Sequence, residues 1–462
     1  MNLSGNLKPA TSVVTRFAPS PTGFMTIGNF RTALFSYLFA KKNQGEFLIR
    51  IEDTDRERSL DSHTQQILKD LRLMGLDFDE SKILHQSQRT NIYETYYQQL
   101  QKDGAAYECF CTPDELALER KVQLAAGQPP RYSGRCLHLS EEDRQKRKEE
   151  GAIPTLRFHV GHQKVCFHDL IMGSKEFSSS DIGDFIIKKA DGQATFFFCN
   201  AIDDALSGVT HVLRGDDHLT NTPRQILLLK KLGLPLPEYG HFPLILGYDH
   251  KPLSKRTGSR SIKELLEEGF LADGINNYLS RLGHQVPSQE YLPLAQLIEY
   301  FDLDLISKGA AHYDQAQLNY WQKIGFSHLS FETGMKLIQD KLSELIESKR
   351  AAFWALVQAN ILCSGEMKSW HDRLTQSSTF ISLDQLKDFG WDRSIIELLS
   401  SKWGESWADL LSSLKEKGLK GKNLFMPLRL LMTGLEDGPP LEALYLYIDQ
   451  DLMAQRLIQV LS

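Results

Sequence analysis

The sequence has little cysteine, no long apolar run and no strong excess of charge of one sign. Six cysteines in 462 residues are too few for a disulfide scaffold, so a reducing, cytoplasmic setting is expected. No run approaches the roughly 20 apolar residues that a membrane-spanning helix needs. The start, MNLSGNLKPATS, has neither the apolar core nor the cleavage site of a signal peptide. We therefore expect no membrane association.

The overall charge gives no sign of a nucleic-acid-binding protein. The formal net charge is −6 at pH 7, and 41% hydrophobic and 24% charged residues are ordinary for a globular chain. A local basic track would still suffice for a nucleic-acid partner. The length predicts about three domains.

One segment near the start, VVTRFAPSPTGFMTIGNF (13–30), predicts a strand, a sharp turn and a helix. Its apolar beginning is typical of a buried strand, the Pro-Ser-Pro-Thr-Gly run breaks it, and apolar residues then recur at three- and four-residue spacing. A helix that starts at such a turn offers free N–H groups to an anion, and Gly23 and Gly28 would let a ligand approach the backbone. Many α/β domains turn this way without a ligand, so the shape alone leaves phosphate binding open.

Further elements continue the pattern of a parallel α/β sheet. A strand is expected at Phe47–Ile51, ending in Glu52, and a helix over 62–74. Later segments predict three strands and a helix: strands at Thr195–Ile202, Val209–Leu213 and Phe242–Leu246, and a helix at Thr222–Leu232. Residues 93–195, with clustered cysteines and shorter strands such as Thr155–Val160, are interpreted as an insertion between the halves of this fold. From about residue 262 onward the pattern is almost entirely amphipathic helix.

Two close pairs of metal-ligand residues, Cys109 with Cys111 and Cys136 with His138, flank a loop of the insertion. This spacing suits a tetrahedral zinc ion held by three thiolates and one imidazole. Four protein ligands leave no open position, so the zinc, one per chain, would be structural. The alternative is an insertion with reduced thiols and no metal.

The amino-acid sequence of the first turn is more specific than its predicted shape. RFAPSPTG, two residues and then Thr26-Ile27-Gly28-Asn29 resembles the signature of class I aminoacyl-tRNA synthetases in its glutamyl and glutaminyl form, with Thr26 where the family has the first His of its HIGH tetrapeptide. Pro252-Leu253-Ser254-Lys255-Arg256 resembles the family's second, KMSKS-type signature, with Pro252 in place of its first Lys. Four more segments match in order: RIEDTDRER, TFFFCNAIDD, VLRGDDHLTNTPRQ and GFLADGINNYLSRLG.

The resemblance implies a Rossmann-type parallel-sheet catalytic domain in an α/β protein. That domain would comprise residues 10–92 and 196–248, with an inserted acceptor-end-binding domain at 93–195. The KMSKS loop and stem-contact helices would occupy 249–325, and an all-helical anticodon-binding region 326–462. In that last region Trp370, Trp391 and Trp407 are expected in the core rather than stacked on bases.

Site residues are transferred by motif position. Glutamate carries two carboxylates and one ammonium group, which call for guanidinium groups and an acid. Arg16 and Arg214 would therefore hold carboxylates and Glu52 the ammonium group. The other expected pocket residues are Ala18, Ser20, Asn200 and Phe196, the last standing where the family commonly has Tyr. For ATP the expected residues are Ser20, Thr22, Gly23, Gly28 and Lys255, and for catalysis Lys255, Arg256, Thr26 and Asn29.

The resemblance implies a glutamate–tRNA ligase that uses ATP with Mg²⁺ and glutamate as substrates. Its partner would be tRNA(Glu), tRNA(Gln) or both, and a monomer is implied. The loss of the family His at Thr26 motivates one alternative, a catalytically silent paralogue that binds tRNA. Retained Arg16, Glu52 and Lys255 argue against that alternative.

Overall fold

The computed structural model describes residues 12–55, 58–128, 130–253 and 260–462. The predicted catalytic residues Lys255 and Arg256 lie outside these ranges. The chain forms two compact units, the first made of 1–263 with 279–313 and the second of 264–278 with 314–462. Helices and a parallel sheet make it an α/β protein, as predicted.

The strands, in chain order, are β1 (Val14–Phe17), β2 (Glu46–Ile51), β3 (Leu84–His85), β4 (Ala106–Cys109), β5 (Thr155–Phe158), β6 (Lys164–Asp169), β7 (Gly173–Ser178), β8 (Phe185–Lys188), β9 (His211–Gly215), β10 (Glu238–Phe242), β11 (Ile245–Leu246) and β12 (Ala311–His312). Three-residue or longer 3₁₀ helices lie at Glu80–Lys82, Gln86–Gln88, Asp216–Asn221, Leu303–Leu305 and Gln358–Asn360.

The helices are α1 (Ile27–Lys42), α2 (Asp61–Leu73), α3 (Thr90–Lys102), α4 (Pro113–Ala125), α5 (Glu141–Glu149), α6 (Ser179–Ile182), α7 (Phe196–Leu206), α8 (Thr222–Leu232), α9 (Ile262–Glu268), α10 (Ala272–Arg281), α11 (Leu294–Tyr300), α12 (Gln315–His328), α13 (Phe331–Lys341), α14 (Glu347–Val357), α15 (Glu366–Thr375), α16 (Leu383–Lys387), α17 (Arg393–Lys402), α18 (Trp407–Glu416), α19 (Lys422–Thr433), α20 (Leu441–Tyr447) and α21 (Gln450–Leu461).

The first unit contains parallel strands whose carboxyl ends lie at one edge of the sheets. β1 pairs with β2 and β2 with β3, all parallel. A second sheet has the order β7-β6-β10-β9, with β10 parallel to β9 and to β6. The N–H of Thr210, just before β9, donates to the carbonyl of Val14 at 2.9 Å, which joins the two sheets beside β1. The carboxyl ends of β1, β2 and β9 therefore lie close together.

The segment 195–206 is a helix, α7, and the predicted strand at Thr195–Ile202 is wrong. Its run of three phenylalanines has high β-propensity, and residues 198 to 205 are all buried, so this stretch has no solvent-exposed face. The helical spacing is nevertheless present, since Phe198, Ile202 and Ala205 recur at intervals of four and three. The helical form also lets the buried Asp203 and Asp204 reach hydrogen-bond partners.

The predicted strand at Phe242–Leu246 is displaced in the structure. The long strand here is β10, which ends at Phe242, and only Ile245 and Leu246 form a further short strand, β11. Pro243 between them has no N–H to donate to a ladder, so the pairing stops there. The predicted helix at Thr222–Leu232 is confirmed in full as α8.

An antiparallel sheet, β4-β5-β8, lies within the stretch interpreted as an insertion. The same stretch also provides the antiparallel pair β6–β7, which extends the sheet beside β10. Its core includes Phe158, Phe185 and Ile187.

The second unit is helical around its own core. Trp370 and Trp391 are buried in that core and Trp407 packs against it, so all three pack as predicted. The indole N–H of Trp391 donates to the carbonyl of Asn423 at 2.6 Å. Among the described residues, no helix is long and apolar enough to span a membrane.

Candidate active site

The turn between β1 and α1 leaves open space beside its backbone. The Thr22 N–H donates to the Ser20 carbonyl at 2.8 Å, and Thr26 caps α1 by accepting the Asn29 N–H on its hydroxyl oxygen at 3.2 Å. A Cβ atom built on Gly23 would meet no described atom within 4 Å apart from its chain neighbours. One built on Gly28 would come no closer than 3.9 Å, to the Thr26 hydroxyl oxygen. A helix N-terminus with such free space suits an anionic ligand.

A cleft of about 390 Å³ lies at the carboxyl ends of β1, β2 and β9. Its lining includes most residues that the sequence assigned to ATP, glutamate or catalysis: Arg16, Ala18, Ser20, Thr22, Thr26, Gly28, Asn29, Glu52, Phe196, Asn200 and Arg214. Gly23 belongs to the same turn but is not among the lining residues. Lys255 and Arg256 lie outside the described residues, whereas Pro252 and Leu253, just before them, line the cleft.

Two arginines and two acids form a buried ionic cluster, and two of its members, Arg16 and Glu52, line the cleft. The Nε of Arg16 donates to Oδ1 of Asp204 at 3.0 Å, and Arg50 pairs with the same oxygen. Arg50 also reaches Glu52, with Nη2 and Oε1 3.5 Å apart. Burial alone would raise the pKa of Asp204, but the two guanidinium groups lower it below its ordinary value. Arg16 is thus held in place by an acid that the sequence analysis did not single out.

The negative charge of Glu52 is less strongly compensated by its neighbours than that of Asp204. Burial raises its pKa, against the lowering effect of Arg50 and Arg16 and of a hydrogen bond from Asn200. The Ser20 hydroxyl also donates to its Oε2 at 3.5 Å. A cationic group bound in the cleft would stabilise the charged form of this carboxylate.

Arg214 is buried, and one of its guanidinium nitrogens makes no hydrogen bond to the described residues. Its Nε donates to Nε2 of His241 at 3.1 Å, and its Nη2 donates to the Thr222 hydroxyl at 2.9 Å and to Oε1 of Gln225 at 2.7 Å. Its Nη1 has no hydrogen-bond partner among the described residues. Burial, with the neighbouring charge of Arg16, lowers the pKa of Arg214 to about 10. Both features favour an anion as the missing partner.

An aromatic pair forms part of the cleft wall. The rings of Phe196 and His218 are stacked, with centroids 5.0 Å apart and planes inclined by 16°. Burial lowers the pKa of His218 to about 4, so its ring is neutral near pH 7. Phe196 therefore contributes an apolar face to the cleft and no hydroxyl group.

Several site residues were not identified from the sequence. Asp204 and His218 lie inside segments that match the family, TFFFCNAIDD and VLRGDDHLTNTPRQ, and their position in those segments was the available signal. Gln86 and His241 lie outside them, and no pattern in the sequence marks them. Gln86 hydrogen-bonds Asn200 and His241 hydrogen-bonds Arg214, both of which line the cleft, and only the folded structure reveals these contacts.

Three of the four predicted zinc ligands come together in the first unit. The metal-binding atoms of Cys109, Cys111 and Cys136 all lie within 4.8 Å of one another. His138 is not part of this group among the described residues. The Tyr132 hydroxyl lies there instead, 3.4 Å from the Cys109 sulfur and 3.6 Å from the Cys111 sulfur. A set of soft thiols with one further donor is chemically suited to zinc.

Comparisons with known proteins agree with this geometry. The family described as tRNA synthetases class I (E and Q), catalytic domain, matches residues 12–320. A glutamate–tRNA ligase 2 of Alkalilimnicola ehrlichii is 46% identical over 97% of this chain and 98% of its own. A glutamate–tRNA ligase 1 of Coxiella burnetii is 45% identical over 96% of this chain and 98% of its own.

Solved structures are similar over nearly the whole length as well. The crystal structure of a glutamate–tRNA ligase from Elizabethkingia meningosepticum in complex with its amino acid has a TM-score of 0.82 and 26% identity, covering 97% of this chain and 99% of that one. The glutamate–tRNA synthetase of Elizabethkingia anophelis has a TM-score of 0.83 at the same identity and coverage.

Proposed function

Because this chain belongs to the class I tRNA synthetases of the glutamate and glutamine family, we propose that it is a glutamate–tRNA ligase acting through the cleft at the ends of β1, β2 and β9. In the first step a carboxylate oxygen of glutamate attacks the α-phosphorus of ATP, giving glutamyl-adenylate and pyrophosphate. In the second step the 2′-hydroxyl of the terminal adenosine of tRNA attacks the adenylate carbonyl and AMP leaves. The protein positions the reactants and stabilises charge, and no protein nucleophile is needed.

The observation that carries this proposal is the unpartnered Nη1 of Arg214. A buried guanidinium donor without a partner is costly, and a carboxylate in the cleft would satisfy it with a charge-assisted hydrogen bond. Arg16, held by Asp204, adds a second positive group beside the same cleft. Glu52 supplies the matching negative group for the substrate ammonium. One acid and two guanidinium groups thus fit the three charges of glutamate.

The start of α1 is the proposed place of the ATP phosphates. The open backbone at Gly23 and Gly28 and the helix N-terminus favour negative charge. Ser20, Thr22 and Asn29 add polar side chains along the cleft. Mg²⁺ carried by ATP would neutralise part of the phosphate charge, and Lys255 and Arg256 are proposed to stabilise the charge that develops on the α-phosphate.

Thr26 combines two roles in this proposal. Its hydroxyl oxygen already accepts the Asn29 N–H, so the residue at the position of the family's histidine caps α1 here. The hydroxyl hydrogen remains available as a donor to a phosphate oxygen. A donor to phosphate is thereby retained at this position although the imidazole is lost.

The remaining regions are assigned by resemblance. We propose that 93–195 binds the tRNA acceptor end, that 249–325 contacts the stem and that 326–462 reads the anticodon. A monomer in the cytoplasm, acting on tRNA(Glu), tRNA(Gln) or both, completes the proposal. Relatives numbered 1 and 2 are both similar to this chain, so the numbering favours neither tRNA.

A structural zinc ion is proposed at Cys109, Cys111 and Cys136, with Tyr132 or His138 as the fourth ligand. The three sulfur atoms and the Tyr132 hydroxyl already lie together. When bound, the ion would tie the end of β4 to the segment around residue 136 and would take no part in the reaction.

Charging assays with purified components test the function. Wild-type protein is expected to attach labelled glutamate to tRNA(Glu), tRNA(Gln) or both in the presence of ATP and Mg²⁺. Arg214→Gln is expected to lower kcat/KM for glutamate by about a hundredfold or more, because a buried charge-assisted contact is lost. Arg72→Gln, at an exposed ion pair with Glu80, is the matched control. Failure of the wild-type protein to charge either tRNA would contradict the proposal.

A further inference from the structure

A line of buried polar side chains runs from Asp203 to the cleft through Gln86 and Asn200. These three residues are 1% exposed or less. Asp203 and Asn200 belong to α7, whereas Gln86 comes from the 3₁₀ helix after β3. Asn200 lines the cleft, whereas Gln86 and Asp203 are not among its lining residues.

The acid at the far end fixes the direction of the first amide. Asp203 accepts hydrogen bonds from Arg89 Nε on Oδ1 and from the Tyr93 hydroxyl on Oδ2, the latter at 2.6 Å. Its Oδ2 also accepts from Nε2 of Gln86 at 3.0 Å. A carboxylate accepts and has no hydrogen to give, so Gln86 must turn its NH₂ group toward Asp203. At the other end of the same amide, the Cys199 thiol donates to Oε1 at 3.6 Å.

The first amide then fixes the second. The same Nε2 of Gln86 donates to Oδ1 of Asn200 at 2.8 Å. A reversed Asn200 would place its NH₂ group against the NH₂ group of Gln86 and leave two buried donors facing each other. Asn200 therefore turns its NH₂ group the other way, where it hydrogen-bonds Glu52 and lowers the pKa of that carboxylate. Because the orientation of an amide is otherwise ambiguous, this chain of donors and acceptors decides it.

We propose that Gln86 is a positioning residue that selects a carboxylate substrate: through Asn200 it keeps a hydrogen-bond donor directed into the amino-acid pocket. This inference rests on the proposed function and explains how the site selects glutamate over glutamine. The Asn200 NH₂ group has two hydrogens, and Glu52 takes one of them. The other faces a bound amino acid, where a carboxylate oxygen accepts it in any orientation. A carboxamide accepts it in only one of its two orientations, so glutamine binds less well than glutamate.

A charge-preserving swap separates this role from simple packing. The double variant Gln86→Glu with Asp203→Asn keeps one acid and one amide at the two positions, and every hydrogen bond between them can still form. The new carboxylate at position 86 accepts from Asn200, so Asn200 must reverse and present Oδ1 to Glu52. The swap thus reverses Asn200, and it also moves the negative charge from position 203, beside Arg89, to position 86. Gln86→Met adds no charge and is therefore measured beside the swap.

The readouts are KM for glutamate, KM for ATP and kcat in tRNA charging, with glutamine as a competing inhibitor. The swap is expected to raise KM for glutamate by about tenfold or more, the loss of a hydrogen bond to a charged group, while KM for ATP changes by less than about threefold. The inhibition constant of glutamine should change less than KM for glutamate, so discrimination falls. Tyr93→Phe removes another hydrogen bond to Asp203 without touching Gln86, and is expected to leave KM for glutamate within about twofold.

Three outcomes would overturn the inference: an unchanged KM for glutamate in the swap, equal changes in both KM values, or a Tyr93→Phe effect as large as that of the swap. If the swap fails to fold, as judged by its melting temperature, Gln86→Met alone decides the inference. That variant keeps the volume and lets Asn200 turn freely, with the same expectations.

A wild-type protein that charges no tRNA would contradict the proposed function instead. Calorimetric titration of glutamate into wild-type and swap proteins would then decide the inference. Weaker binding by the swap supports it, and equal binding or no binding by either protein overturns it.

Discussion

The Nε of Arg214 donates to Nε2 of His241 at 3.1 Å, and this contact determines where the proton of His241 lies. A guanidinium group has donors only, so Nε2 must offer its lone pair and the proton must be on Nδ1. Asp169 accepts from Nδ1, and it also accepts the backbone N–H groups of Ile171 at 3.0 Å and Met172 at 2.8 Å. An acid on β6 thus orients a histidine on β10, and the histidine orients the arginine on β9.

Replacement of His241 should weaken glutamate binding more than ATP binding. His241→Phe removes the acceptor from Arg214 Nε, so the guanidinium plane is no longer fixed. We expect KM for glutamate to rise by about tenfold and KM for ATP to change by less than about threefold. Steady-state charging assays measure both. His211→Phe, on β9 and without contact to Arg214, is the control, and equal effects of the two substitutions would contradict this role of His241.

Buried histidines should make the protein less stable in mild acid. Burial lowers the pKa of His241 below its ordinary value of 6.5, although the hydrogen bond to Asp169 opposes this. Below about pH 6.5 the unfolded chain takes up a proton that the folded chain does not. The free energy of unfolding therefore decreases as the pH is lowered below 6.5. The loss is at most about 1.4 kcal/mol per pH unit for one such group.

The groups around His241 do not reverse this sign. The pKa of Asp169 is also lowered, so its own contribution is lost only below its ordinary value of 3.8. Arg214 stays charged throughout the range. Urea unfolding at pH 7, 6 and 5 measures the slope, and His241→Gln should show a shallower slope between pH 6.5 and 5 than the wild type. Identical slopes would show that His241 does not contribute.

The sequence predicted the residues that contact the cleft better than those that hold them. Arg16, Glu52 and Arg214 were identified because family motifs carry them, and α1 and α8 because their apolar spacing is regular. The strand predicted at Thr195–Ile202 was wrong because a fully buried helix lacks the solvent-exposed face that marks an amphipathic helix, and phenylalanine favours strands. His241 and Gln86 hydrogen-bond partners far away in the sequence, so no local pattern could identify them.

Loss of the buried acid Asp204 should destabilise the fold as well as the site. Asp204→Ala leaves Arg16 and Arg50 without their shared partner in a buried cluster. Removal of one partner from a buried ion pair costs about 3–5 kcal/mol. Asp384→Ala, at an exposed pair with Lys387, is expected to cost at most about 1 kcal/mol. Urea unfolding of the two variants tests this, and equal losses would show that the cluster is not structurally important.

A hydroxyl group at position 196 should improve glutamate binding. Phe196 lies in the cleft wall, stacked on His218, where the family commonly has tyrosine. Phe196→Tyr should keep the stacking and add one polar contact, which is worth about 0.5–1.5 kcal/mol, or about a two- to tenfold lower KM for glutamate. Phe197→Tyr, next in the chain, is the control. A higher KM in Phe196→Tyr would mean that the wall has no room or partner for the hydroxyl.

Metal content should depend on the clustered cysteines and not on an isolated one. Protein purified without added metal is expected to contain about one equivalent of zinc, and Cys136→Ser to retain less than about a tenth of that, because a tetrahedral site loses a thiolate ligand. Cys166→Ser, at an exposed cysteine outside the cluster, should keep the full equivalent. Elemental analysis by mass spectrometry measures all three, and a metal-free wild type would rule out the site.

Comparison of Tyr132→Phe with His138→Ala then identifies the fourth ligand. The position of the Tyr132 hydroxyl beside two of the sulfur atoms leads us to expect the larger zinc loss in Tyr132→Phe.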